Sequence, residues 1–279
     1  MNTPIPKVAA VHDISGFGRA ALTVVIPILS TMGIQVCPIP TAVLSTHTGG
    51  FGACKIIDLT THIKEYLEHW SKIGLEFEAV YSGYLGSEQQ IEIISDYILK
   101  TKNNKRLVVI DPVFGDNGVL YHSINEKMVE KMREYIKLAD IITPNFTEAA
   151  FLLGKNYDCK IKEQELKEWL VQLSEKGPET VVITSAPDSE HKKGTYVIAY
   201  NKRDNCFWTV KYNYMPINFP GTGDIFTSVL LGSILQGNDL PAALNRAVKF
   251  VSSAIKASLE YSYPEREGVL LEKVLHSLL

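Results

Sequence analysis

Short apolar runs alternate with stretches of helical length along most of the chain, and this alternation sets the first expectations about its fold. Residues 7–12, Lys7-Val8-Ala9-Ala10-Val11-His12, end in polar and glycine positions and predict a buried strand. Residues 20–32 have helical length, and Gly33 follows where a C-terminal cap belongs. Residues 34–40 predict a second strand, followed by a loop rich in Thr, Ser, His and Gly over 45–52. A helix is expected over 57–73, a brief strand at 79–81 and an amphipathic helix over 87–100. Residues 106–110 form a clear strand ended by Asp111-Pro112. Next come a helix over 125–137, a strand at 140–142, a short helix from about 145 and a longer one through 166–174. The β-branched run 180–184 predicts a strand, and the alternation in 194–200 and 206–212 predicts a hairpin around 201–205. The C-terminal part reads as helices over 224–236, 240–259 and 270–279.

Strands separated by helices imply an α/β fold: three αβα layers around a central, mostly parallel sheet covered on both faces. No repeat, low-complexity tract or linker divides the chain, so one domain over 1–279 is expected. In such sheets ligands bind beyond the carboxyl ends of the strands. Asp13, residues 45–52, 82–86, 111–115 and 144–148, and Thr184-Ser185 each follow a predicted strand, and they are expected to share one rim.

Composition narrows the function classes. With 28 basic and 31 acidic residues the formal charge is −3, which removes the broad basic field that non-specific nucleic-acid binding needs. Cys37, Cys54, Cys159 and Cys206 lie far apart without a CxxC pair, giving no zinc ribbon and fitting a reducing compartment. The N-terminus lacks a basic segment followed by a long apolar one, and no apolar stretch approaches the roughly 20 residues of a membrane span. A cytoplasmic protein without nucleic-acid or membrane partners is expected.

The chemistry concentrates in a few clusters. Gly221-Thr222-Gly223-Asp224 precedes a helix start. Its glycines let backbone approach a ligand, and unpaired first-turn N–H groups with the helix dipole form an anion site. An aspartate there can take a proton from an alcohol, as phosphoryl transfer requires. On spacing alone Asp224 fits a helix N-cap equally well. Asn145-Phe146-Thr147-Glu148 offers a carboxylate for Mg²⁺ through water, and also the pattern of a capping box. Asp111 ends a buried strand, where a charge is costly unless partnered, although Asp-Pro turns are common. Walker A and dinucleotide glycine patterns are absent. His12 and His47 lack metal-ligand spacing, and His12 reads as a strand-end residue.

As a set, Ser82-Gly83-Tyr84-Leu85-Gly86-Ser87, Asp111-Pro112-Val113-Phe114-Gly115, Thr143-Pro144-Asn145-Phe146-Thr147-Glu148 and Gly221-Thr222-Gly223-Asp224 resemble the ribokinase superfamily, and within it the vitamin B6 (pyridoxal) kinases. Ser45-Thr46-His47-Thr48 resembles that family's segment beside the pyridine ring. The resemblance implies a ribokinase-like fold without a separate lid domain. It implies an ATP-dependent kinase that phosphorylates the 5′-hydroxymethyl group of pyridoxamine, pyridoxal or pyridoxine. Asp224 is then the general base, with Gly221, Thr222 and Gly223 as the anion hole. Asp13, Thr48, Gly49, Tyr84 and Asp224 meet the substrate. Asp111, Thr143, Glu148, Thr184 and Ser185 meet ATP, with Asp111 and Glu148 serving Mg²⁺ partly through water. The stretch 212–216 lies near the adenine. The family also implies a monovalent cation such as K⁺ and a homodimer.

Asp13 stands where many relatives carry a serine, exchanging a donor or acceptor for a group that only accepts when ionised. This favours a ligand that offers a donor or positive charge. Gly49-Gly50-Phe51-Gly52 also departs from the common form of the ring-side loop. A hydroxymethylpyrimidine kinase and a non-catalytic ligand-binding relative are the competing readings.

Overall fold

The computed structural model describes residues 5–101, 106–188, 194–212, 217 and 219–279. The chain divides into two compact units, Met1–Tyr84 with Ile217–Leu279, and Leu85–Pro216.

The first unit opens with β1 (Lys7–Ser15), α1 (Leu22–Thr31), β2 (Gln35–Leu44), β3 (Ile56–Asp58), α2 (Thr60–Lys72) and β4 (Ala79–Ser82). The second contains α3 (Glu88–Thr101), β5 (Leu107–Ile110), β6 (Gly115–Asp116), β7 (Val119–Leu120), α4 (Glu126–Tyr135), β8 (Ile141–Ile142), α5 (Phe146–Leu153), α6 (Glu163–Glu175), β9 (Thr180–Pro187), β10 (Thr195–Asn201) and β11 (Cys206–Lys211). The chain returns to the first unit with α7 (Thr222–Leu235) and α8 (Leu240–Leu259).

In the first unit the strand order is β4-β1-β2-β3, and β1 runs parallel to both β2 and β4. Val8, Ala9, Ala10 and Val11 are fully buried in succession, the mark of a parallel strand covered on both faces. Helices α1 and α2 pack on β2, while α7 lies against α1 and α8. In the second unit the order is β11-β10-β9-β8-β5. Strands β5, β8 and β9 are parallel, and β10 and β11 continue antiparallel as the expected hairpin. Helix α6 buries Leu166, Trp169, Leu170 and Leu173 against β9 and β10. The fold is α/β, with a mostly parallel sheet flanked by helices and no separate lid among the described residues. None of its described helices is long and apolar enough to cross a membrane.

Four expectations need correction. The first strand does not stop at His12: it continues through Asp13 to Ser15, so His12 is an interior, fully buried residue. The helix expected from 57 begins at Thr60, because residues 56–58 pair antiparallel with β2 and Asp58 Oδ1 accepts the Thr60 amide (2.8 Å). The small β6–β7 hairpin was not expected. Its turn is Asn117-Gly118, both with positive φ, as a tight hairpin demands. Residues 270–279 form two short 3₁₀ turns, Leu271–Lys273 and Leu275–Leu278, rather than an α-helix.

Truncating a core residue of α1 separates core from surface. Leu29→Ala, at a fully buried position, should cost about 2–5 kcal/mol of unfolding free energy. Exposed Ser30→Ala should stay within about 0.5 kcal/mol. Denaturant titration of the two variants checks both values.

Candidate active site

In the first unit, Gly221 makes the turn into α7 with φ 81°, and it is the N-cap of that helix. Only glycine fits here: a Cβ would overlap the Arg19 carbonyl oxygen. Thr222 anchors the turn by donating its hydroxyl to Phe219 O (3.1 Å), and Gly223 is exposed. Asp224 therefore stands in the first helical turn and is not the N-cap, which settles the ambiguity its spacing left. Its Oδ2 instead accepts the backbone N–H of Ala21 at 2.8 Å. Ala21 holds φ 51° and ψ −135°, a region costly for any residue with a side chain, so the donor is held by the surrounding fold under strain.

Burial pushes the Asp224 carboxyl up to about 7. The Ala21 N–H pulls it down, while the charge of Asp13 raises it further. Its side chain keeps 13% exposure, so one edge still meets solvent. Asp13 is itself buried and raised to about 6 by desolvation, which the Ser15 hydroxyl (3.2 Å) partly offsets. His12 Nδ1 lies 3.8 Å from Asp224 Oδ1, beyond hydrogen-bond length.

Around this pair, Gly49 N donates to His47 Nδ1 (3.1 Å), and His47 Nε2 lies 2.7 Å from the Arg266 carbonyl oxygen. These partners select a neutral ring protonated on Nε2, in keeping with a pKa lowered by burial. His47 thus fixes the loop that carries Thr48 and Gly49. A Cβ on Gly49 would lie 3.4 Å from the Pro220 ring, beside the Gly221 turn. Arg266 covers the Phe51 ring at 5.0 Å. Tyr84 accepts the Thr41 hydroxyl at its carbonyl (3.3 Å), directly after Gly83. Asp13, Asp224, the Ala21 amide and the Gly221 turn are thus adjoining groups, whereas no contact ties Thr48 or Tyr84 to Asp224 among those described. Sequence reasoning assigns His12 and His47 no ligand role and does not single out Arg266. A lone histidine without ligand spacing gives no signal, and Arg266 lies far along the chain.

In the second unit, Asn145 caps α5 by accepting the Glu148 amide (3.0 Å), and Glu148 Oε2 returns the bond from Asn145 N (2.9 Å). The capping box is formed as its sequence pattern suggests. Glu148 does more than cap: it is 2% exposed, and its Oε1 also accepts the Phe114 amide (3.0 Å). Burial raises its carboxyl to about 7 against these donors. Val113 just before Phe114 has φ 42°, a rare conformation for a β-branched residue. Asp111 and Thr143 are buried at the ends of β5 and β8. Thr184 donates its amide to Pro144 O (3.1 Å), and Ser185 Oγ lies 3.4 Å from Phe146 N. Thr143, Glu148, Thr184 and Ser185 thus border the segment that opens α5, and Asp111 follows β5, the strand paired with β8. Among the described residues, no group of three or more His, Cys, Asp or Glu side chains is arranged to hold a metal alone. Residues 213–216, in the stretch expected near an adenine, lie outside the described residues.

The chain is similar to several known proteins. A family model described as phosphomethylpyrimidine kinase matches residues 26–266. A Bacteroides thetaiotaomicron protein named for phosphomethylpyrimidine kinase, crystallised with pyridoxal, is 51% identical, with TM-score 0.95 over 98% of this chain and 96% of its own. Pyridoxal kinase from Lactobacillus plantarum shares 29% identity, with TM-score 0.89 over 98% and 96% of the two chains. Pyridoxal kinase from Dictyostelium discoideum is 31% identical over 90% of this chain and 85% of its own length.

The raised carboxyls carry a stability cost whose sign is opposite to that of a salt-bridged aspartate. Asp224 binds its proton more tightly folded (about 7) than unfolded (3.8), so stability falls as pH rises between those values and is level above. Asp224→Asn should therefore raise the melting temperature, with a gain that grows from pH 4 to 7 and then holds. Calorimetric scans across that range check this.

Proposed function

We propose that this chain, which belongs to the phosphomethylpyrimidine kinase family and to the pyridoxal kinases of the ribokinase superfamily, transfers the γ-phosphoryl group of ATP to the 5′-hydroxymethyl oxygen of a vitamin B6 vitamer. One observation carries the role assignment. Asp224 sits in the first turn of α7, free of capping duty and poised near neutral pKa. A general base works best when its pKa lies near the operating pH.

In this reading the substrate hydroxyl gives its proton to the Asp224 carboxylate as its oxygen bonds to the γ-phosphorus and ADP departs. The N–H groups of the Gly221-Thr222-Gly223 turn, lacking intrahelical acceptors, face the charge on the transferred group. Asp13, Thr48, Gly49 and Tyr84 are assigned to the vitamer. Asp111, Thr143, Glu148, Thr184 and Ser185 are assigned to ATP. Mg²⁺ would neutralise charge on the phosphates when bound. Both Glu148 oxygens already accept N–H groups, which suits contact through the waters Mg²⁺ retains, with phosphates supplying other ligands. A single catalytic domain over 1–279, a monovalent cation such as K⁺, a homodimer and a cytoplasmic location belong to the same proposal. The family description favours one second reading, a hydroxymethylpyrimidine as acceptor. Its flat ring and primary alcohol would suit the same base.

Asp224→Asn should lower kcat by about 10²–10⁴-fold while calorimetric ATP affinity is unchanged. Activity within a few-fold of wild type would remove Asp224 from the base role. In the wild type, kcat/KM should fall as pH drops below about 7, because only the ionised carboxylate accepts the proton.

With its carboxyl near 6, Asp13 is largely ionised above pH 7 and acts as an acceptor. It should favour pyridoxamine, whose amine is positively charged. Relative kcat/KM on the three vitamers should shift away from pyridoxamine in Asp13→Ser, and an unchanged ranking contradicts this role.

A further inference from the structure

His12 is the least expected group beside Asp224. It is fully buried in β1, and neither ring nitrogen has a hydrogen-bond partner among the described residues. Its ring meets Tyr81 edge-on at 4.4 Å between centroids. On the other side it occupies the space a Cβ of residue 83 would need, so Gly83 leaves the room for it. Gly83 is in turn fixed by donating its amide to Val11 O (3.0 Å). In this setting Asp224 Oδ1 lies 3.8 Å from Nδ1.

A buried, unpaired nitrogen costs about 1–3 kcal/mol, and a phenylalanine or leucine would fill the same space without that cost. The imidazole cannot serve as a second base, because burial lowers its pKa to about 3 and keeps it neutral. A neutral ring still carries one N–H. Asp224 Oδ2 is already satisfied by Ala21, so Oδ1 is the oxygen left to receive a second donor. The other ionisable or charged groups facing the pair are Asp13 from β1 and Tyr81 from β4. Arg19, near Ala21, is engaged by Glu272 at 3.0 Å.

We propose that His12 is a positioning residue for Asp224: its Nδ1–H closes on Oδ1 when substrate binds, fixing the carboxylate rotamer and stabilising its ionised form. Catalytic hydrogen bonds are often long in free enzymes and tighten in the substrate complex, and a movement of about 1 Å suffices here. The inference rests on Asp224 as the base, but its test has a readout that does not.

Replacing His12 by Leu removes the donor, while His12→Asn restores one near Nδ1. Since the contact closes with substrate, the acid limb of kcat should rise by about one pH unit in His12→Leu. The limb of kcat/KM, which reports free enzyme, should move less, and His12→Asn should return both toward wild type. If His12→Leu loses thermal stability but both limbs stay in place, His12 only fills space and the proposal fails.

A second measurement needs no folded His12 variant and no turnover. Nitrogen-15 NMR of histidine-labelled wild type saturated with pyridoxal in the absence of ATP, with His12 assigned through its Tyr81 contact, should show a neutral ring protonated on Nδ1. Its signal should follow the titration of Asp224, and this response should vanish in Asp224→Asn. An Nε2-protonated ring, or a response that survives in Asp224→Asn, overturns the proposal. If Asp224→Asn keeps its activity while the NMR coupling is present, the base assignment fails and the His12–Asp224 contact stands.

Discussion

A carboxylate held at a helix start by a strained backbone amide organises the first unit. Ala21 donates to Asp224 from a conformation that costs about 1–3 kcal/mol, so β1, α1 and the Gly221 turn must hold it there. Gly221 contributes because no side chain fits against Arg19 O, and that contact brings the start of α7 up to residues 19–21. The carboxyl is consequently fixed and largely desolvated, yet one edge remains open. Fixed geometry and a raised pKa arise from one arrangement, and both are what a proton acceptor needs.

The second unit repeats the device with different parts. Glu148 accepts two backbone amides, one from the cap of α5 and one from Phe114, which follows the unusual φ of Val113. Each unit thus holds a buried carboxylate against a donor in or beside a strained segment. Strain of this kind persists only where the surrounding structure dictates it, and it gathers at functional sites. Both carboxyls are stabilised in their neutral form by burial, so the fold gives up stability near neutral pH at the groups proposed to handle charge.

Much of this was legible from the chain. The buried runs Val8–Val11 and Val108–Ile110 read as strands because parallel strands covered on both faces need continuous apolar sequence. The motif at Asp224 could be singled out as a candidate proton acceptor, but its geometry was not legible. Whether it capped α7 depended on where the helix began: with Gly221 as a left-handed N-cap, the helix starts at Thr222, two residues before Asp224. The extension of β1 past His12 was hidden, since Asp13 and Ser15 are polar residues that periodicity assigns to a loop. The β6–β7 hairpin announced its turn in Asn117-Gly118, but strands of two residues are too short to show alternation. Contacts such as His47 to Arg266 join residues 219 positions apart and leave no local trace.

In the proposed reaction the fixed carboxylate at Asp224 serves phosphoryl transfer to the alcohol of a vitamin B6 vitamer. The most direct measurement follows label from [γ-³²P]ATP into products identified by mass, with pyridoxal, pyridoxine, pyridoxamine and hydroxymethylpyrimidine assayed side by side. Label is expected on the 5′-oxygen of at least one vitamer, at a kcat/KM above that for the pyrimidine. Label in the pyrimidine alone, or release of phosphate with no labelled acceptor, would contradict it.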